Sequence, residues 1–274
     1  MNKNQISRGL LALLLASTGV AAQAASTWAF TGVTSAEGAN AVTSYTGSEG
    51  TLKISGAYVA ANSTSFTTSG SGTTLLHYSG GLGMASDGTS TPNHAIDNVG
   101  NTEMVLLSFS QSVVLTSVGI GYKYGDADVG IFRLNSTTAP SLSSTTATYA
   151  GLTAAGWTLV GNYGDLATDT SAPYTLVNGA TSSAAPTASS VGSSWWLIVS
   201  YNSALSGTTA KSGTLNNGDD YFKLFGVTTS VCSGSAATDC GKKTNVPEPA
   251  SLALVGVGLL GALGVRRRKS AAAA

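Results

Sequence analysis

Charge is scarce in this 274-residue chain: 13 Lys and Arg against 13 Asp and Glu, 9% of the residues, where an average soluble protein carries about 25%. Histidine occurs twice, at His77 and His94, and cysteine twice, at Cys232 and Cys240. Each shortage removes a class of function. Two histidines leave little room for histidine-based catalysis, and two cysteines without a neighbouring histidine do not make a zinc site. No G-x-S-x-G, H-E-x-x-H, S-x-x-K or P-loop pattern occurs. Between Ala25 and Gly241 no segment has the apolar spacing of an amphipathic helix. What replaces the missing charge is Ser, Thr, Gly, Ala and Asn, a composition common in exported β-rich proteins and also a surface on which sugars can be carried.

The charges that exist are unevenly placed. Lys3, Arg8, Arg266, Arg267, Arg268 and Lys269 hold six of the 13 basic residues at the two ends. Residues 25–245 keep seven basic against twelve acidic residues, a net of −5. An acidic body without a basic patch excludes nucleic acid as a partner, because phosphate binding needs clustered Lys and Arg.

The N-terminal end has the three parts of a secretory signal peptide: Lys3 and Arg8, the apolar run Leu10–Leu15, and the small-residue site Ala22-Gln23-Ala24. The apolar run is too short to span a bilayer, which takes about 20 residues. Signal peptidase is expected to cut after Ala24, with Ala22 as the competing site, so that residues 1–24 are lost and Ala25 begins the mature chain.

The C-terminal end reads Val246-Pro247-Glu248-Pro249-Ala250, an uncharged run to Val265, then Arg266-Arg267-Arg268-Lys269. Residues 250–265 as a helix reach about 24 Å, short of a typical hydrocarbon core of about 30 Å. The basic cluster behind them is a membrane stop and is expected to stay cytoplasmic, with residues 270–274 as a tail. This order resembles the PEP-CTERM sorting signal of Gram-negative bacteria that make exopolysaccharide. The resemblance implies that Pro247, Glu248 and Pro249 are recognised by exosortase, a membrane cysteine protease, and that the chain is its substrate. It implies transient residence in the inner membrane, then transfer to the cell surface or extracellular matrix. An ordinary tail anchor does not need Pro-Glu-Pro, and a GPI signal does not end in a basic cluster.

Residues 25–229 are expected to form one all-β ectodomain. Val118, Ile120 and Tyr122 alternate with Gly119 and Gly121, the period of a strand, and Trp157–Tyr163 alternates similarly. Further strands are expected at Trp28–Val33, Thr51–Val59, Leu75–Tyr78, Met104–Phe109, Val129–Leu134, Trp195–Tyr201 and Tyr221–Thr228. Trp195–Val199 is apolar on both faces, as in a strand covered on both sides. Asn135–Thr148 and Ala180–Ser194 are expected loops. Nine or ten strands without helices predict a single β-sandwich, jelly-roll-like. Residues 230–245 follow as a linker, and Cys232 and Cys240, outside the membrane in an oxidising compartment, are expected to close a disulfide.

His94-Ala95-x-Asp97-Asn98-x-Gly100, the strand Met104–Phe109 and Asp126-x-Asp128 before another strand together resemble, over residues 77–134, a family of exosortase-dependent surface proteins. That resemblance speaks to class and location. For chemistry, Asp97, Asn98, Asp126 and Asp128 are oxygen ligands near strand ends, and Asp97, Asp126 and Asp128 are the candidate calcium set. The alternative is that they serve as turn and hairpin caps. His94 three residues before Asp97 in a serine-rich chain leaves a secreted hydrolase as an alternative. Trp28, Trp157, Trp195, Trp196, Tyr122 and Tyr124 leave a carbohydrate-binding module as another. The expected role is a non-enzymatic surface or matrix protein without a required cofactor, associated with exopolysaccharide and biofilm and open to Ser/Thr glycosylation.

Overall fold

The computed structural model describes residues 25–231 apart from 32–43, 89–91, 93, 137, 170–173 and 177–190. The predicted signal peptide, the Cys232–Cys240 pair, the sorting motif and its helix lie outside the described residues. By compactness the chain divides into Met1–Lys242 and Lys243–Ala274, and every described residue belongs to the first unit. Among the described residues, no helix is long and apolar enough to cross a membrane.

The described chain is mostly β-sheet. In order it forms β1 (Ser26–Ala29), β2 (Ser44–Gly47), β3 (Gly50–Val59), β4 (Phe66–Thr67), β5 (Leu76–Tyr78), β6 (Gly81–Gly83), β7 (Ile96–Asp97), β8 (Thr102–Lys123) and β9 (Val129–Leu134). Helix α1 (Tyr149–Ala154), β10 (Trp157–Tyr163), β11 (Tyr174–Thr175), β12 (Ser193–Ser200), α2 (Ser203–Ser206), β13 (Ala210–Ser212) and β14 (Tyr221–Val231) complete it. The main hydrogen-bonded path runs β13-β10-β9-β12-β8-β14-β6-β5.

Strand β8, at 22 residues, is far longer than the usual 3–10, and its length organises the sheet. Its first half pairs β3 on one side, from Leu52↔Phe109 to Val59↔Thr102, and β12 on the other. Its second half pairs β14 and, at Ser117 and Val118, β11. Ser110-Gln111-Ser112 reads in the sequence as a break between two strands. The structure carries one strand through it, because the polar side chains continue the pairing where the backbone ladder shifts. Ser110 Oγ accepts the Thr51 amide at 3.0 Å, and Gln111 Nε2 donates to the Glu49 carbonyl at 2.7 Å.

The two halves share one core. Leu107, Trp196 and Ile198 from the first half cluster with Leu115, Val118, Ile120, Leu224 and Val227 from the second. The opposite face of the first half is also sealed: Met104, Leu197, Val199 and Phe132 pack with Leu152 of α1 and Leu205 of α2. Burial on both faces explains why Trp196–Val199 is apolar without alternation.

Several elements differ from the sequence reading: β1 covers Ser26–Ala29 rather than Trp28–Val33, and β12 starts at Ser193, inside the expected loop Ala180–Ser194. Helix α1 follows Asn135–Thr148, where no helix was expected; Thr148 Oγ1 caps it by accepting the Gly151 amide at 3.0 Å. A second short helix, α2, is capped by Asn202 Oδ1, which accepts the Ala204 amide at 2.9 Å. Strand β14 runs to Val231, two residues into the expected linker. Gly121 is needed for a close approach: a Cβ there would stand 2.2 Å from the Gly80 carbonyl oxygen, so the glycine that reads as mere alternation is a packing contact.

Candidate functional site

At one end of the sheet the chain gathers its carboxylates. Strand β8 ends at Lys123 and turns through Gly125, at φ 69, into Asp126 and Asp128 just ahead of β9. Asp220 immediately precedes β14, and the pairing of β14 with the end of β8 sets it beside that turn: Tyr124 N donates to Tyr221 O at 3.0 Å and Tyr221 N to Asp126 O at 3.1 Å. One oxygen from each of Asp126, Asp128 and Asp220 lies within 4.8 Å of the others. Asp128 and Asp220 are fully buried.

These carboxylates are tied to backbone from distant loops. Asp128 Oδ1 accepts the Asp165 amide at 2.8 Å and its Oδ2 the Asn216 amide at 2.8 Å. Asp220 Oδ1 accepts the Asp128 amide at 2.5 Å, and Oδ2 accepts Asn98 Nδ2 at 2.5 Å. Asn98 also donates to Tyr201 O at 2.7 Å and accepts the Asp220 amide at 3.0 Å. Five loops are thereby stitched together, and each carboxylate oxygen still has a lone pair for a cation or a proton.

A second acidic group lies on the other side of Asn98. Glu103 accepts the Ser86 amide at 2.8 Å and the Asp97 amide at 3.3 Å. Asp97 Oδ1 accepts the Val99 amide at 3.0 Å, while its Oδ2 is buried with no hydrogen-bond donor. Burial, reinforced by the charges of Glu103 and Asp87, pushes Asp97 up to about 9. Burial likewise raises Asp220 to about 8, Glu103 to about 7 and Asp128 to about 6. The chemistry open to such a site is proton sharing or the holding of a hard divalent cation by oxygen.

Of the three residues singled out as calcium ligands, the structure brings Asp126 and Asp128 together and supplies Asp220 as the third carboxylate; Asp97 sits instead with Glu103. Asp219-Asp220 after Asn217-Gly218 reads locally as a turn, and only the 92-residue separation closed by β14 reveals its partner. The histidines are engaged elsewhere. His94 Nε2 stands 3.1 Å from Lys223 Nζ, with its ring edge-on to Tyr78, and His77 Nε2 meets Tyr45 Oη at 2.5 Å. Lys223, itself buried, lies 4.0 Å over the Tyr78 ring and 4.8 Å over that of Tyr122.

Among the aromatics, Trp28, Trp157 and Trp196 are core residues and Trp195 packs half-buried against the second cluster. Of the two candidate tyrosines, Tyr122 is half-buried and Tyr124 is exposed, at 58%. It stands edge-on to Tyr221 with ring centroids 5.9 Å apart, beside Asp126.

The family model of the PEP-CTERM protein-sorting motif matches residues 245–269. No curated protein and no solved structure matches the chain. The chain thus carries a PEP-CTERM sorting signal, which marks an exported protein that passes through the membrane to the cell surface with exosortase as its sorting partner.

Proposed function

We propose that this chain is a non-catalytic surface or extracellular-matrix protein of a Gram-negative bacterium, a jelly-roll-like β-sandwich associated with exopolysaccharide and biofilm. In this reading signal peptidase removes residues 1–24. The 250–265 helix holds the protein briefly in the inner membrane, exosortase acts at Pro247-Glu248-Pro249, and Cys232 and Cys240 close a disulfide behind β14. The observation that carries it is the sorting motif at residues 245–269. A core shared by the two halves of the sheet supports the sandwich. The non-catalytic role is supported by the contacts of His94 with Lys223 and of His77 with Tyr45. Calcium, where it binds, has Asp126, Asp128 and Asp220 as ligands.

Replacing Glu248 by Ala tests the sorting step. Export should persist, since the signal peptide is intact, and the full-length protein should accumulate in the inner membrane while the surface form drops by tenfold or more. Mass spectrometry of the surface fraction decides: peptides spanning residues 251–266 in the mature wild-type form would mean that the tail is a permanent anchor.

The exposed Tyr124 beside carboxylates favours a second reading, that this end of the domain touches sugar, since an aromatic face with flanking hydrogen-bonding groups suits a pyranose ring. Tyr124→Ala should lower binding of the purified protein to the cells' own exopolysaccharide about tenfold while leaving the melting temperature within 2 °C. Unchanged retention would remove this reading.

A further inference from the structure

At the opposite side of the fold, the start of β1, the turn between β2 and β3, and the end of β14 enclose a cleft of about 440 Å³. Among the described residues Glu49 is the one ionisable side chain lining it, and it is more than nine-tenths buried. Its Oε2 accepts from Thr229 Oγ1 at 2.6 Å, and Thr229 Oγ1 in turn accepts from Trp28 Nε1 at 2.9 Å. Its Oε1 is buried without a hydrogen-bond donor. A carboxyl oxygen sealed from water and left without a donor is unfavourable, and a site that holds one is short of a partner.

The missing partner is close in the chain. Ala25 lines the same cleft. Ser26 pairs with Thr229 in the β1–β14 ladder, its carbonyl oxygen 3.5 Å from Thr229 Oγ1, and Ser26 Oγ stands 2.9 Å from the hydroxyl of Ser48, the neighbour of Glu49. The nitrogen of residue 25 belongs to the residue just before Ser26, one that itself lines the cleft. In the precursor that nitrogen is a neutral amide with a single N–H. Hydrolysis of the Ala24–Ala25 bond by one water gives Ala24 a carboxylate and Ala25 an ammonium group with a positive charge and three donors.

We propose that the cleft is a receptor for the chain's own new N-terminus: the α-ammonium of Ala25, once signal peptidase has released it, pairs with Glu49 and locks β1 onto β14. The inference rests on the export reading above and adds a consequence to it, namely that removal of the leader completes the fold. Charge complementarity fits, since the described lining of the cleft has one acidic side chain and no basic one. The end of β14 at Val231 lines the same cleft, so the lock would also secure the strand from which the chain leaves toward its sorting tail.

The test uses the full chain beginning at Ala25, in detergent, beside a chain that keeps Ala24, each as wild type and as Glu49→Gln. With Ala25 ¹³C-labelled, NMR titration should give the α-amino group of the wild type a pKa at least one unit above the usual value of about 8, returning to about 8 in Glu49→Gln. Retaining Ala24 should lower the melting temperature by 3 °C or more in the wild type and leave that of Glu49→Gln unchanged. An ordinary α-amino pKa in the wild type, or an equal loss from the extra residue in both backgrounds, overturns the lock. Should Glu49→Gln fail to fold, the wild type with and without N-acetylation gives the same reading, acetylation removing the charge. N-terminal sequencing of the exported protein separates the two layers: a start other than Ala25 refutes the lock as a maturation event, and a start at Met1 refutes export itself.

Discussion

Between pH 5 and pH 9, in the absence of divalent cations, the melting temperature of the mature protein should fall by about 10 °C. The cause is the set of buried acids at one end of the sheet. Asp97, Asp220, Glu103 and Asp128 are raised to about 9, 8, 7 and 6, first of all by burial, while the unfolded chain ionises them near 4. A carboxyl whose folded pKa is raised takes up a proton on folding throughout the interval between the two values. Stability is therefore greatest below about pH 4 to 5, as far as these groups decide it, and is lost as pH climbs through each folded value. The groups interact, so their shifts do not add. A loss of about 4 kcal/mol by pH 9 corresponds to about 10 °C at the 2–4 °C per kcal/mol of a domain this size. Asp97→Asn replaces the highest of them with a group that does not titrate, and should flatten the curve between pH 7 and 9. Millimolar calcium at pH 8 should recover part of the loss through Asp126, Asp128 and Asp220, and Asp128→Asn should abolish that recovery. A melting temperature that is flat or rises from pH 5 to 9 would contradict the ionisation pattern described here.

What the sequence reveals of this arrangement depends on the range of the interaction. Strands β9 and β10 coincide with the strands expected at Val129–Leu134 and Trp157–Tyr163, because a run of β-forming residues is a local signal. The continuous β8 is hidden, since Ser110-Gln111-Ser112 looks like a break until Glu49 and Thr51 are seen to accept and supply its hydrogen bonds. Helix α1 is hidden for a different reason. Tyr149–Ala154 covers under two turns and carries Gly151 in its middle, so neither period nor propensity marks it; the Thr148 cap is its one local sign. The acidic site divides in the same way. Asp126 and Asp128 stand two residues apart before a strand and are legible as ligands, whereas Asp220 joins them only through long-range pairing. Glu103 had a sign that was available: a charged residue at the mouth of the apolar run Met104–Leu107, in a chain so poor in charge, needs partners to be buried there.

The sharpest test of the architecture lies in two adjacent residues of β12. Trp196 and Leu197 point to opposite faces of the same strand and both are fully buried, Trp196 in the core shared by the two halves of the sheet and Leu197 in the cluster roofed by α1 and α2. In a sheet with one wet face, one of two neighbouring positions is always cheap to truncate, since surface changes fall within about 0.5 kcal/mol. Here both should be costly: about 3–5 kcal/mol for Trp196→Ala and about 2–5 kcal/mol for Leu197→Ala, read from denaturant midpoints at unchanged slope. Trp196→Ala also removes the donor Nε1, which reaches the Ser193 carbonyl at 3.0 Å. Trp196→Phe should therefore recover most of the packing but leave a deficit of about 1–2 kcal/mol for the unpaired carbonyl. A Leu197→Ala variant as stable as the wild type would mean that the helical cover does not seal the outer face. The apolar run of β12 would then need another explanation, such as a face kept for a partner.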